Sequence, residues 1–281
     1  MSRDLDALAW LVEMGADEAI LDQPVDHCVP ATPRVAAPGV ATAETPRAAP
    51  DHAMPVTRNA ATAPATAAPA PRPEAAASAR ERAAACQTLA ALEEAVRGFE
   101  GCGLKATATN TVFADGVPGA RVMFVGEAPG ADEDRLGRPF VGVSGQLLDA
   151  MLRWIDLDRQ RNVYIANVVY WRPPGNRPPT TSEVAICLPF IQRQIALARP
   201  EILVFLGNSA AQALLGTTGG IGKLRGRWLT YDPTDADAPI QAIATFHPAY
   251  LLRSPAQKRE SWRDLLMIKN KLIDRAPEMK N

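Results

Sequence analysis

Beyond about Arg80 the chain alternates short apolar runs with stretches whose apolar residues recur at helical spacing. The runs are Val122–Gly126, Val163–Val169, Ile202–Leu206 and Ile240–Phe246, and none alternates polar with apolar side chains in strict period two. Such runs predict strands buried on both faces, as in a parallel sheet covered by helices. Helices are predicted over Arg80–Arg97, ending at Gly98, over Ser144–Ile155, from Thr181 onward, from Gly207 to Leu215, and over Pro255–Ile273. Thr180 or Thr181 caps the helix that starts there, and Glu183 supports the cap. Leu224–Tyr231 is less regular. The expected fold class is α/β, a three-layer α/β/α sandwich around a four-stranded parallel sheet. About 200 residues suffice for one such domain with a good core.

The amino-terminal third follows a different pattern. Leu5, Leu8, Leu11 and Val12 sit at helical spacing, so residues 1–28 are read as a short helical segment. Residues 29–80 are dominated by Ala, Pro and Thr and contain no Leu, Ile, Phe, Tyr or Trp. Such a stretch cannot bury enough apolar surface to offset its ordering entropy, and it is expected to be a disordered, extended linker. Residues 81–281 then form the folded domain.

Composition narrows the partners. A formal net charge of −1 carries no global basic signature, so any contact with nucleic acid must come from a local patch. No apolar run approaches the roughly 20 residues of a membrane span. The amino end mixes acids among its apolar residues and lacks a basic start, so a cytoplasmic protein without a secretory signal is expected. Cys28, Cys86, Cys102 and Cys187 are widely scattered, which fits free thiols or remnants of a metal site better than disulfides.

The candidate chemistry gathers at the predicted strand ends, where open α/β sheets place their ligands. After Val122–Gly126 comes the loop Glu127-Ala128-Pro129-Gly130, then Asp132, Glu133 and Asp134, and then Phe140 beside Gly142. The loop carries acids where a phosphate cradle would carry glycines and a lysine, so it suits an uncharged planar group. Glu127 and Glu133 are either solvated loop charges or groups that hold a water and balance a developing cation. Phe140 is either core or a stacking platform. Asn167 ends a strand, and its amide either bonds a neighbouring loop or meets a ligand edge such as the N3–H and O4 of uracil. His247 follows the last strand and is the only histidine of the folded domain, since His27 and His52 precede it. A structural histidine is the alternative, but its place at a strand end favours a role in the site. Arg172, Arg177 and Arg253, near two double prolines, form either a solvated loop or a stiff basic rim.

The motifs GEAPGADEDRLGRPFVG, NVVYWRPPGNRPP, LGNSAAQALLG, LRGRW and HPAYLLR occur in that order across residues 82–281. In this the chain resembles the type-four uracil-DNA glycosylases. The resemblance implies hydrolysis of the N-glycosidic bond of uracil in DNA, within base-excision repair, by a monomeric bacterial enzyme. It makes Glu127 and Glu133 the loop acids, with Gly126 and Ala128 beside the base. Phe140 becomes the residue stacked on uracil and Asn167 the reader of its edge. Asn176 becomes the active-site Asn of the Pro loop, and His247 faces the uracil carbonyl. Arg172, Arg177 and Arg253 would contact phosphates of uracil-containing DNA. The family usually binds a 4Fe–4S cluster through four cysteines. Here Cys102 and Cys187 fill the second and fourth positions, while Phe99 and Trp171 stand at the first and third. Clusters of this kind need four thiolates, so no cluster and no other cofactor is expected. The alternative reading is a non-catalytic binder of damaged or single-stranded DNA. The amino-terminal helix is a candidate docking element for a protein partner.

Overall fold

The computed structural model describes residues 73–233 and 238–274. The readings for residues 1–28 and for most of the linker lie outside the described residues. Strands β1 (Asp115–Gly116), β2 (Val122–Gly126), β3 (Val163–Asn167), β4 (Ile202–Leu206), β5 (Trp228–Tyr231) and β6 (Ile240–Thr245) form one sheet in the order β1-β3-β2-β4-β6-β5. The four apolar runs lie side by side in it, with β3, β2, β4 and β6 paired parallel. The two added edge strands, β1 on β3 and β5 on β6, run antiparallel. The expected four-stranded parallel sheet is therefore corrected to a mixed sheet of six strands.

Every residue of β2, β3 and β4 is buried, because successive side chains enter opposite cores. Met123 and Val125 join a cluster with Leu92, Val96 and Ile191, and Val122 and Phe124 join another with Leu148, Leu251 and Ile268. On the first face lie α1 (Pro73–Ala85), α2 (Leu89–Arg97), α5 (Thr181–Ala198) and α6 (Asn208–Leu215). On the second lie α4 (Val143–Arg153), α8 (Pro248–Arg253) and α9 (Lys258–Asp274). Two short helices, α3 (Ala131–Leu136) and α7 (Ile221–Leu224), lie in the connections. Among the described residues no helix is long and apolar enough to cross a membrane.

Several boundaries move. The single helix expected over Arg80–Arg97 is two helices, broken at Cys86–Thr88. The Thr88 hydroxyl accepts from the Ala91 N–H at 3.1 Å, and the Arg193 guanidinium donates twice to the freed Cys86 carbonyl, at 2.9 and 2.8 Å. The first of the pair begins at Pro73, inside the stretch read as linker. Thr180 is the cap of α5, in a reciprocal pair with Glu183. The helix expected over Pro255–Ile273 opens with a 3₁₀ turn at Pro255–Gln257 and is preceded by α8, which the pattern did not predict.

Candidate active site

The carboxyl ends of β2, β3 and β6 open into a cleft of about 240 Å³. Glu127, Ala128, Glu133, Phe140, Asn167, Asn176, Arg177 and His247 all line it. Gly126 abuts it, whereas Arg172 and Arg253 lie outside the lining.

Its floor depends on Gly126. A Cβ there would come within 2.5 Å of both Asn167 Oδ1 and Phe140 Cζ. Only a bare backbone lets the carboxamide and the ring converge on that point. Asn167 pairs with Gly126 in the sheet register, is 1% exposed, and its Oδ1 has no hydrogen-bond partner. An unmet buried acceptor costs about 1–3 kcal/mol, and native structures tolerate one where a ligand will satisfy it. The Phe140 ring lies 5.6 Å from the His247 ring, tilted by 33°. Two strand ends, after β3 and β6, and the connection between α3 and α4 thus deliver an amide, an imidazole and an aromatic face to one hollow.

His247 caps α8, and its Nδ1 accepts from the Ala249 N–H at 3.1 Å. The neutral ring must then carry its proton on Nε2. Burial, aided by the charge of Arg253 and opposed by Glu133, pulls its pKa down to about 4. At neutral pH the cleft therefore holds an uncharged imidazole with one N–H to donate. The last residue of β6 is anchored from below. Thr245 Oγ1 donates to Asp264 Oδ2 at 2.8 Å, and Arg225 grips the same carboxylate at 2.8 and 3.1 Å while lying 5.2 Å over the Phe246 ring. The motif containing Arg225 was noted in the sequence, but nothing there linked it to His247.

The two loop acids separate. Glu133 is 8% exposed, and its carboxylate is consumed by the N–H groups of Val141 and Gly142, both at 2.9 Å, and of Gly130 at 3.1 Å. The Glu127 carboxylate makes no hydrogen bond or ion pair among the described residues and lines the cleft, while its backbone carbonyl accepts from the Val169 N–H at 3.0 Å. The Pro loop turns through Pro174–Asn176, where Gly175 and Asn176 take φ of 65° and 55°. Asn176 Oδ1 accepts from Arg172 Nε at 2.6 Å. Arg177 is held by Glu183 through two bonds of 2.7 and 2.8 Å, so its charge is already matched. Arg253 is exposed and makes no ion pair among the described residues. The residue that sequence reasoning missed is Arg159, whose guanidinium reaches the carbonyl oxygens of Pro139 and Phe140.

Phe99, Cys102, Trp171 and Cys187 share one core cluster, each at most 2% exposed. The Phe99 ring meets Phe190 edge-on at 5.1 Å and covers Gly101, where a Cβ would lie 2.4 Å from its Cζ. Trp171 donates its indole N–H to Thr111 Oγ1 at 3.0 Å. The neighbouring Cys102 thiol together with complete burial holds the Cys187 thiol well above the ordinary range. Among the described residues no group of three or more His, Cys, Asp or Glu is placed to hold a metal ion. The residues present do not fit a cluster that needs four thiolates, since two of the four places are filled by packed rings.

The uracil DNA glycosylase superfamily model matches residues 113–266. The type-4 uracil-DNA glycosylase of Pyrobaculum aerophilum is 39% identical over 188 residues, 66% of this chain and 94% of that protein. The type-4 enzyme of Thermotoga maritima is 42% identical over 164 residues, 58% and 82% of the two chains. That of Archaeoglobus fulgidus is 41% identical over 173 residues, 59% and 84%.

Proposed function

The chain belongs to the uracil DNA glycosylase superfamily, and from that premise we propose that it excises uracil from DNA by hydrolysing the N-glycosidic bond. The observation that carries the reading is the partnerless Oδ1 of Asn167, which lines a slot too narrow for a side chain at Gly126. An extruded uracil would lie against the Phe140 ring, give its N3–H to that oxygen and accept at O4 from the amide nitrogen. Cleavage of the N1–C1′ bond moves the bonding electrons onto the uracil ring and leaves an oxocarbenium-like sugar. The Nε2–H of His247 meets the charge that builds on O2, as a neutral donor whose tautomer is fixed by the cap. Glu127 has a free carboxylate to orient the attacking water, take its proton and face the cationic sugar. We assign Glu133 to holding the loop and Asn176 to fixing Arg172. Arg172 and Arg253 are the phosphate contacts, with Arg177 bracing the Pro loop through Glu183. Every residue in this scheme comes from one chain, so a monomer suffices.

The reading includes no iron–sulfur cluster. Two aromatic rings with their own partners occupy the cluster positions, and apolar burial takes over the cross-linking that metal would supply. Protein purified without oxygen should lack stoichiometric iron and the visible absorbance of a cluster. The presence of both would refute this part. Residues 1–28 would serve as a docking arm for a protein partner, and a pull-down in which their deletion changes nothing would remove that assignment. The excision reading itself is tested by incubating the full chain with oligonucleotides carrying one uracil or one thymine. Free uracil should accumulate from the first and no base from the second.

A further inference from the structure

We infer that Arg159 is a positioning residue that sets the base-stacking platform, acting on the Phe140 backbone through a buried guanidinium. The inference rests on the uracil-excision reading above. Phe140 lies between α3 and α4 with a φ of 54°, in the left-handed region that bulky side chains rarely adopt. Something must hold it there. Arg159, 9% exposed and sited between α4 and β3, donates to the Phe140 carbonyl at 2.6 Å and to the Pro139 carbonyl at 3.1 Å.

Two carboxylates aim the guanidinium. Nε donates to Asp149 of α4 at 2.9 Å, and Nη1 donates to Asp115 of β1 at 2.8 Å. On the other side of Phe140, Glu133 takes the N–H groups of Val141 and Gly142. Gly145 supplies the room, since a Cβ there would fall 2.0 Å from the Phe140 oxygen. The carbonyl is therefore fixed by Arg159 and the following amides by Glu133, which leaves the ring one orientation, against Gly126 and His247. A planar fork with fixed donor directions can serve two carbonyls and two carboxylates together, whereas a lysine ammonium on a flexible stem cannot. Without the fork, Phe140 is free to relax to negative φ and swing its ring out of the slot.

The test is steady-state kinetics of Arg159→Lys on a single-uracil duplex, with inhibition by free uracil measured alongside. Loss of a stack made equally in ground and transition states raises KM and leaves kcat within about twofold. KM and the uracil inhibition constant should rise together by about tenfold, at the lower end of what one base–aromatic stack contributes. A role limited to folding would lower kcat through the active fraction and leave both constants unchanged, which would overturn the inference, as would wild-type behaviour throughout. Should the lysine variant not fold, Asp149→Asn loosens the same guanidinium from a half-exposed partner and is read by the same split, with a smaller rise expected. A wild-type chain that released no uracil would refute the excision reading and this inference with it. An active wild type with an indifferent variant would refute this inference alone.

Discussion

Adding one methyl group at Gly126 should disable the site while leaving the fold in place. Gly126 does not take a positive φ, so alanine meets no backbone strain there and the whole effect falls on the slot. The new Cβ would stand 2.5 Å from Asn167 Oδ1, and 2.5 and 2.8 Å from two carbons of the Phe140 ring. Both neighbours are buried, at 1% and 5% exposure, and neither is the loose end of a flexible chain. To restore ordinary contact one or both must retreat by close to 1 Å, a misplacement that can cost about 100-fold in rate. Overpacking of this kind costs about 1–3 kcal/mol of stability, enough to lower a melting temperature without unfolding the domain. The assay is single-turnover uracil release by Gly126→Ala, with a thermal melt and circular dichroism on the same preparation. A folded variant that released uracil at the wild-type rate would refute the placement of Asn167 and Phe140 around one ligand.

The His247 imidazole, with its pKa near 4 rather than 6.5, should show no activity loss as pH falls from about 8 to about 5, and an NMR titration should place its midpoint near 4. The same depression means the unfolded chain takes up a proton that the folded chain refuses, so stability should decline as pH drops from about 6.5 toward 4, a trend that chemical denaturation at several pH values would check. Glu127→Gln should slow release with little change in melting temperature, whereas Glu133→Gln, which weakens three backbone bonds, should lower the melting temperature as well; equal profiles for the two would contradict their separation. Arg253→Ala should weaken DNA binding uniformly across sequences and reduce the slope of log affinity against log salt by about one. Phe99→Ala should cost about 3–5 kcal/mol in denaturant unfolding, while a chelator should leave the wild-type curve unmoved.

The central strands were legible because their burial on both faces leaves uninterrupted apolar runs at Val122–Gly126 and Ile202–Leu206. The edge strands were not. Asp115–Gly116 is two residues long, and Trp228–Tyr231 is only partly buried, so neither leaves a periodic trace. The break after Ala85 was invisible for another reason: no glycine or proline marks it, and Arg193, far along the chain, captures the Cys86 carbonyl. Asn167 and His247 were readable since topology alone sends strand ends to the crevice. Arg159 was not readable, because its meaning lies in contacts with Asp115 and Phe140 that a polar run in a turn does not announce. The division between Glu127 and Glu133 had a partial signal: Glu133 stands three residues after Gly130, the spacing of an acid that folds back on a helix start.

Excision turns on a buried carboxamide at the end of β3, proposed above to read the edge of a flipped uracil. The most direct measurement is the single-turnover rate of uracil release from a one-uracil duplex, by wild type and by Asn167→Ala at matched concentrations of folded protein. The wild type should release uracil rapidly and the variant should lose about 100-fold or more in rate. Equal rates, or an intact substrate with the wild type, would contradict that role for Asn167.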